Sequence, residues 1–260
     1  MTSDLDLLRQ YAGGNSQDAF GEIVRRHLDL VYSAALRLVR SPQLAEEVAQ
    51  SVFADLACNA GKISGAGVPP VSSLTPWLYK VTRRTAIDAI RKESRHQLRE
   101  QIAVEMNNMN AIANSGTGVL PVWSEIEPLL DDAMAALDET DRIAILLRYF
   151  ENKNLREVGE ALGTNDDAAQ KRVSRAVERL REFFSKRNVT IGVSGLATLI
   201  SANAVQSAPV GLAAVISAAA LAGTAVQTST VIAATKTIAM TTLQKAFITV
   251  TVAVLAGGGI

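Results

Sequence analysis

The sequence predicts an all-α protein: two small helical domains joined by a linker, the second a helix-turn-helix, followed by an apolar helical C-terminal tail. Three observations predict it. Apolar residues recur at helical spacing through the first 187 residues, and strand-like alternation is nearly absent there. Residues 105–120 lose that periodicity and gain polar residues and glycine, the composition of a connector. Residues 154–184 join a short amphipathic segment to a longer one across Gly163, the pattern of a helix-turn-helix. The boundaries that follow are 1–103, a linker at 104–123, 124–187, and a tail at 188–260.

Each element has its own signal. Phe20, Ile23, Val24 and His27 begin one helix face, and Leu30, Val31, Ala34, Ala35 and Leu38 continue it. Ser41 then suits an N-cap and Pro42 the first helical position. Ala45, Val48, Val52 and Leu56 form the next stripe. Residues 61–70 are rich in Gly and Pro and read as a loop. Thr75-Pro76 repeats the cap-then-proline start, and a helix is expected from Trp77 to about Arg99. A second cluster opens near Ser124, with Ile143, Leu146, Leu147 and Phe150 on one face. Leu155, Val158 and Leu162 are the buried stripe of the short helix before Gly163, which is placed to end it in a left-handed conformation.

The formal net charge of zero hides a division. The chain holds 26 basic and 26 acidic residues, yet residues 188–260 contain only Lys236 and Lys245. The single cysteine, Cys58, excludes an internal disulfide and is expected as a buried thiol among apolar neighbours. His27 and His96 share no ligand spacing with it, so no metal is expected. No carboxylate or His/Cys cluster suits catalysis, so neither enzyme chemistry nor a cofactor is expected. The polar, acidic start carries no secretory signal. In the tail, two apolar runs at about 208–226 and 243–260 approach the ~20 residues that span a bilayer. They read either as membrane helices or as a small alanine-rich helical domain packed on itself or on the rest.

Three constellations carry function. In the longer helix, Ala169, Val173, Ala176, Val177, Leu180 and Phe184 share an apolar arc. Gln170, Lys171, Arg172, Ser174, Arg175 and Arg179 lie away from it, where a helix-turn-helix meets the major groove. The second is a basic run: Lys80, Arg83, Arg84, Arg91, Lys92, Arg95 and Arg99, with Trp77 and Tyr79 at its start. Lys80, Arg84, Arg91 and Arg95 fall within about 60° of one another on a helical wheel. Such a stripe suits a phosphate backbone, and an aromatic beside it can stack on unpaired bases. The third places Glu46, Glu47 and Asp55 around the Val48–Leu56 stripe, a face suited to a protein partner rather than to DNA. The plainer alternatives are solvated charged faces, and a core role for Trp77.

In this order the pieces resemble the extracytoplasmic-function bacterial RNA polymerase sigma factors, over about residues 4–187. The segment 19–27 looks like that family's opening helix and 45–56 like its polymerase-binding helix. The segment 77–92 looks like the helix that melts and reads the minus-ten element, and 137–184 like the domain that reads the minus-thirty-five element. The chain departs from frequent family residues at Arg84 and across Asp167–Arg172. The resemblance implies a non-enzymatic role in promoter recognition and transcription initiation. Core RNA polymerase would be bound through Glu46, Glu47, Val48, Gln50, Val52, Phe53 and Asp55. Melted minus-ten DNA would meet Trp77, Lys80, Arg83, Arg84, Asp88, Arg91, Lys92 and Arg95, and the upstream duplex would meet Gln170 to Arg179. Partners would be core polymerase, promoter DNA, an anti-sigma factor and, through the tail, the membrane. The location implied is cytoplasmic, with a tether at the inner face of the membrane. The alternatives are a helix-turn-helix regulator that does not replace the sigma subunit, and a membrane-tethered regulatory protein.

Overall fold

Capping residues set where the first bundle begins and turns. The computed structural model describes residues 2–14, 16–65, 73–104 and 121–223, and every regular element among them is helical. After α1 (Asp4–Gly14), the Ser16 hydroxyl accepts from the Ala19 amide and starts α2 (Gln17–Val39). Arg40 ends α2 in a left-handed conformation (φ 54°), returning its N–H to the Leu36 carbonyl. α3 (Pro42–Gly65) starts at the expected Ser-Pro pair, with the Leu44 amide on the Ser41 hydroxyl. It runs on through Gly61 to Gly65, where a loop was expected. Ile63 extends the buried stripe of Leu56 and Ala60 by a turn, which offsets the ~1 kcal/mol cost of a helical glycine. α4 (Thr75–Val104) begins at Thr75-Pro76 and continues past Arg99.

α1 to α4 pack on one another around Leu8, Phe20, Ile23, Phe53, Leu56, Leu74 and Leu78. Cys58 is exposed, not buried. It stands two residues from both Leu56 and Ala60, so helical geometry turns it away from their stripe. Buried polar contacts tie the ends of this bundle. Asp4 Oδ2 lies 2.8 Å from His27 Nε2, and His27 Nδ1 lies 3.3 Å from the Thr75 hydroxyl. Burial works against ionisation of Asp4. The hydrogen bond and charge of His27, with the Leu74 N–H and Arg26, outweigh it and hold the carboxyl at about 2.

Of the expected linker at 104–123, residues 105–120 lie outside the described residues, while Val104 ends α4 and residues 121–123 open the next helix. The second bundle comprises α5 (Pro121–Ala136), α6 (Glu139–Ile145), a π-helical turn (Leu146–Phe150), α7 (Leu155–Leu162) and α8 (Asp166–Ser185). Trp123, Ile126, Leu130, Met134, Leu147, Val158, Leu180 and Phe184 form its core. The expected face of Ile143, Leu146, Leu147 and Phe150 is buried throughout.

The two bundles belong to one compact unit, which ends near Leu221 and not at residue 188. Their junction centres on Arg37, at 8% exposure, and Asp131, at 4%. Arg37 Nε donates to Asp131 Oδ2 at 2.9 Å, and the Tyr79 hydroxyl donates to Asp131 Oδ1 at 2.6 Å. Burial and the Asp131 carboxylate push the Tyr79 phenol well above 10, so it remains a neutral donor. Arg37 also lies over the Phe150 ring, 5.7 Å from its centroid.

Beyond α8 the chain folds back instead of leaving the body. Asn188 is left-handed (φ 65°) and the Val189 amide returns to the Phe184 carbonyl. α9 (Val193–Asn203) then packs on α8 and the π-helical turn through Leu196 and Ile200. This packing corresponds to the alanine-rich alternative. The first proposed membrane run, 208–226, is not one helix. Its described part begins outside regular structure, passes Pro209 and Gly211 (φ 92°), and enters the 12-residue α10 (Leu212–Gly223). Leu212 and Ile216 are buried, and Ser217 sits beside Gly21 of α2. Among the described residues no helix is long and apolar enough to cross a membrane. The second run, 243–260, lies outside them.

Candidate nucleic-acid interface

Three local devices aim α8. Asn154 caps α7 in a full capping box: its side chain accepts from the Glu157 amide, and Glu157 accepts from the Asn154 amide. Gly163 ends α7 at φ 67°, as the sequence leads one to expect. Asn165 caps α8 by accepting from the Ala168 amide at 2.9 Å. The turn lies tight on α7, since a Cβ at Gly159 would stand 3.0 Å from the Thr164 carbonyl oxygen. Gly159 was not singled out in the sequence, because its role depends on a close approach from the far side of the turn.

α8 buries Ala169, Val173, Ala176, Val177, Leu180 and Phe184, the whole predicted arc. Its remaining candidates separate into two groups. Gln170, Lys171, Ser174 and Arg175 are exposed and, with Asp167, line a shallow open concavity. Arg172, half-buried, and Arg179, still exposed, instead turn toward acids at the start of α6. Arg172 Nη1 lies 3.0 Å from Asp141 Oδ1, and Arg179 Nη1 lies 2.7 Å from Asp141 Oδ2 and 2.6 Å from Asp138 Oδ2. Asp141 is buried. These two arginines brace α8 against the start of α6, and the other four side chains carry no such pairing to an acid.

On α4, Lys80, Arg84, Asp88, Arg91, Lys92 and Arg95 are exposed, while Trp77 and Arg83 are half-buried. Trp77, Lys80, Arg84 and Arg91 edge a cleft of about 670 Å³ whose opposite wall includes Glu139 and Arg142. Several of these cations have local partners: Arg83 with Asp132 at 3.4 Å, Arg84 with Asp55 at 3.5 Å, and Arg91 with Asp88 at 3.6 Å. Exposed pairs of this kind are worth ~0–1 kcal/mol, so a phosphate can exchange for the carboxylate at little cost.

The candidate polymerase face needs correction. Val48, Val52 and Phe53 are fully buried in the first bundle and present nothing to a partner. They occupy the inner side of the same helix whose outer side carries Glu47 in solvent and Glu46, Gln50 and Asp55 at the edge.

A helical bundle with a basic stripe, followed by a helix-turn-helix with exposed polar and basic side chains, is the arrangement of a DNA-binding protein. Residues 23–96 match the model of sigma-70 region 2, and residues 128–180 match that of sigma-70 region 4. Curated relatives include the ECF RNA polymerase sigma factor SigK of Mycobacterium bovis and of Mycobacterium tuberculosis. Each is 26% identical over 181 residues, covering 70% of this chain and 94% of the relative. The same factor from Mycobacterium sp. strain KMS is 26% identical over 184 residues, covering 70% and 91%. These matches support an RNA polymerase sigma factor of the ECF type, one that directs promoter recognition.

Proposed function

We propose that the two bundles divide the promoter between them. The α4 stripe of Lys80, Arg84, Arg91, Lys92 and Arg95 holds the melted minus-ten region, with Trp77 as its stacking surface. Gln170, Lys171, Ser174 and Arg175 read the minus-thirty-five duplex. Glu47, with Glu46, Gln50 and Asp55 beside it, docks on core polymerase. The observation that carries this reading is the split on α8: two arginines pair with Asp141 and Asp138, and four polar or basic side chains beside them stay exposed with no acidic partner. Arg or Lys there suits guanine edges and phosphates, and Gln170 suits adenine.

In this reading the chain performs no catalytic step of its own and needs no cofactor. It acts in the cytoplasm, and an anti-sigma factor would work by covering one of these faces. The apolar run at residues 243–260 is where membrane contact is to be tested. Cell fractionation of chains with and without charged substitutions in that run measures it.

Run-off transcription with purified core polymerase tests the main reading. Initiation from a defined start site that depends on both added protein and its upstream element is expected. Promoter-specific binding without core polymerase, and no initiation with it, would instead describe a regulator that does not replace the sigma subunit.

A further inference from the structure

The described residues that follow the helix-turn-helix run to residue 223, and within them 189–217 touches both bundles. At its start, Leu196 and Ile200 of α9 are buried against α8 and the π-helical turn. It then crosses to α2. Arg37 Nη1 donates to the Ala204 carbonyl at 2.5 Å. The Ser33 hydroxyl donates to the Gln206 carbonyl at 3.0 Å and accepts from the Gln206 amide at 2.7 Å. Asp29 Oδ1 accepts from the Ala208 amide at 2.9 Å. Leu212 and Ile216 complete the crossing as buried side chains.

The bundles so joined face each other across the α4 stripe. Arg83 is held by Asp132, and Ser73 donates to Glu151. Arg83 Nε is a buried donor with no acceptor, an unfavourable arrangement in the closed form. Elements about 25 base steps apart are separated by roughly 85 Å at ~3.4 Å per step. A compact unit of 221 residues has a radius of gyration of about 17 Å and is about 45 Å across. The closed unit therefore cannot rest on both elements at once.

We propose that residues 189–217 are an intramolecular clasp that holds the free chain closed and unable to initiate, and that core polymerase opens the chain by displacing the clasp from α2. The proposal rests on the division of the promoter between the bundles set out above. The docking face is the Asp29, Ser33, Arg37 edge of α2, and its occupant is the segment 204–208 of the same chain. Polymerase needs only to favour the separated arrangement, since a ligand shifts such an equilibrium by its difference in affinity for the two states.

The test uses the full chain with Cys58→Ser and spin labels at Gln43→Cys and Thr164→Cys, both exposed positions on different bundles. The free chain should give one short distance, and core polymerase should lengthen it. Two sets of variants loosen the clasp from opposite sides: Asp29→Ala with Ser33→Ala on α2, and Gln206→Pro with Ala208→Pro in the segment itself. The second set leaves both bundles unaltered, so it remains readable if the first fails to fold. Each set should lower the polymerase concentration needed for half-maximal opening and raise run-off initiation several-fold when polymerase is limiting. Distances and initiation equal to the parent's in the segment variants would overturn the clasp, as would opening without a gain in initiation over an active parent. If the parent and every variant open with polymerase but none initiates, the clasp's hold on the domains stands and the promoter reading fails.

Discussion

Arg37 and Asp131 meet inside the protein 94 positions apart in sequence, with Nε and Oδ2 separated by 2.9 Å. Arg37 comes from the first bundle and Asp131 from the second, so the pair records how the bundles are joined. Burial opposes the charge on Arg37, but the Asp131 carboxylate more than compensates and raises the guanidinium's affinity for its proton. Removing one member strands the other. Asp131→Leu should lower stability to urea by ~3–5 kcal/mol, and Arg37→Met with Asp131→Leu should recover much of that loss. Equal losses in the single and double variants would show that packing, not charge, holds the junction.

The split of the α8 cations makes a second prediction. Arg175→Ala should weaken binding to the upstream duplex by ~1–3 kcal/mol if it makes a bidentate base contact, with thermal stability unchanged. Lys171→Ala should weaken binding to all sequences alike and reduce the slope of log affinity against log salt by about one. Asp141→Asn should act differently. It frees Arg172 and Arg179 from their carboxylate, so the melting temperature and the upstream affinity should fall together. Loss of affinity with an unchanged melting temperature would remove its bracing role.

Asp4 makes a third, through pH. Its carboxyl sits at about 2 in the folded protein, against an ordinary value of 3.8. A depressed carboxyl stabilises above its unfolded value and loses that contribution as pH falls through the folded one. The window is therefore about pH 4 down to 2, and the contribution about 2 kcal/mol. Asp4→Asn should be less stable at neutral pH by about that amount and should show a flatter acid limb. Urea midpoints at pH 7, 4 and 2.5 measure both.

α3 separates surface from core. Glu47→Lys should reduce affinity for core polymerase and leave folding intact. Phe53→Ala should cost ~3–5 kcal/mol of stability, since it empties a fully buried site. Polymerase binding by a folded Phe53→Ala chain should be close to that of the parent. A large, specific loss there would mean that the inner face of α3 is also presented to the polymerase.

Local signals in the sequence located most helices. Ser41-Pro42, Thr75-Pro76 and Gly163 each end or begin a helix as their backbone chemistry requires, and the apolar arc of α8 is buried residue for residue. Val48, Val52 and Phe53 entered the candidate polymerase contacts through the resemblance of the whole segment 45–56, which does not separate a helix's inner face from its outer one. The pairing of Arg172 and Arg179 with Asp141 was not legible, because a cation's partner across 30 or more residues leaves no local pattern. The same holds for Arg37 and Asp131. The fold-back after Asn188 was hidden for another reason: alanine-rich apolar segments carry too little periodicity to tell a packed helix from a lipid-facing one.

Every hydrogen bond from α2 to positions 204, 206 and 208 goes to a peptide group, while Ala204 is also buried and Val205 and Ala208 pack against the core. Mutational drift along that strip should therefore be tolerated wherever the peptide path and its donors survive. A library randomised at the exposed positions 206 and 207 would retain nearly all substitutions except proline at 206, a tolerance profile set by chain geometry alone.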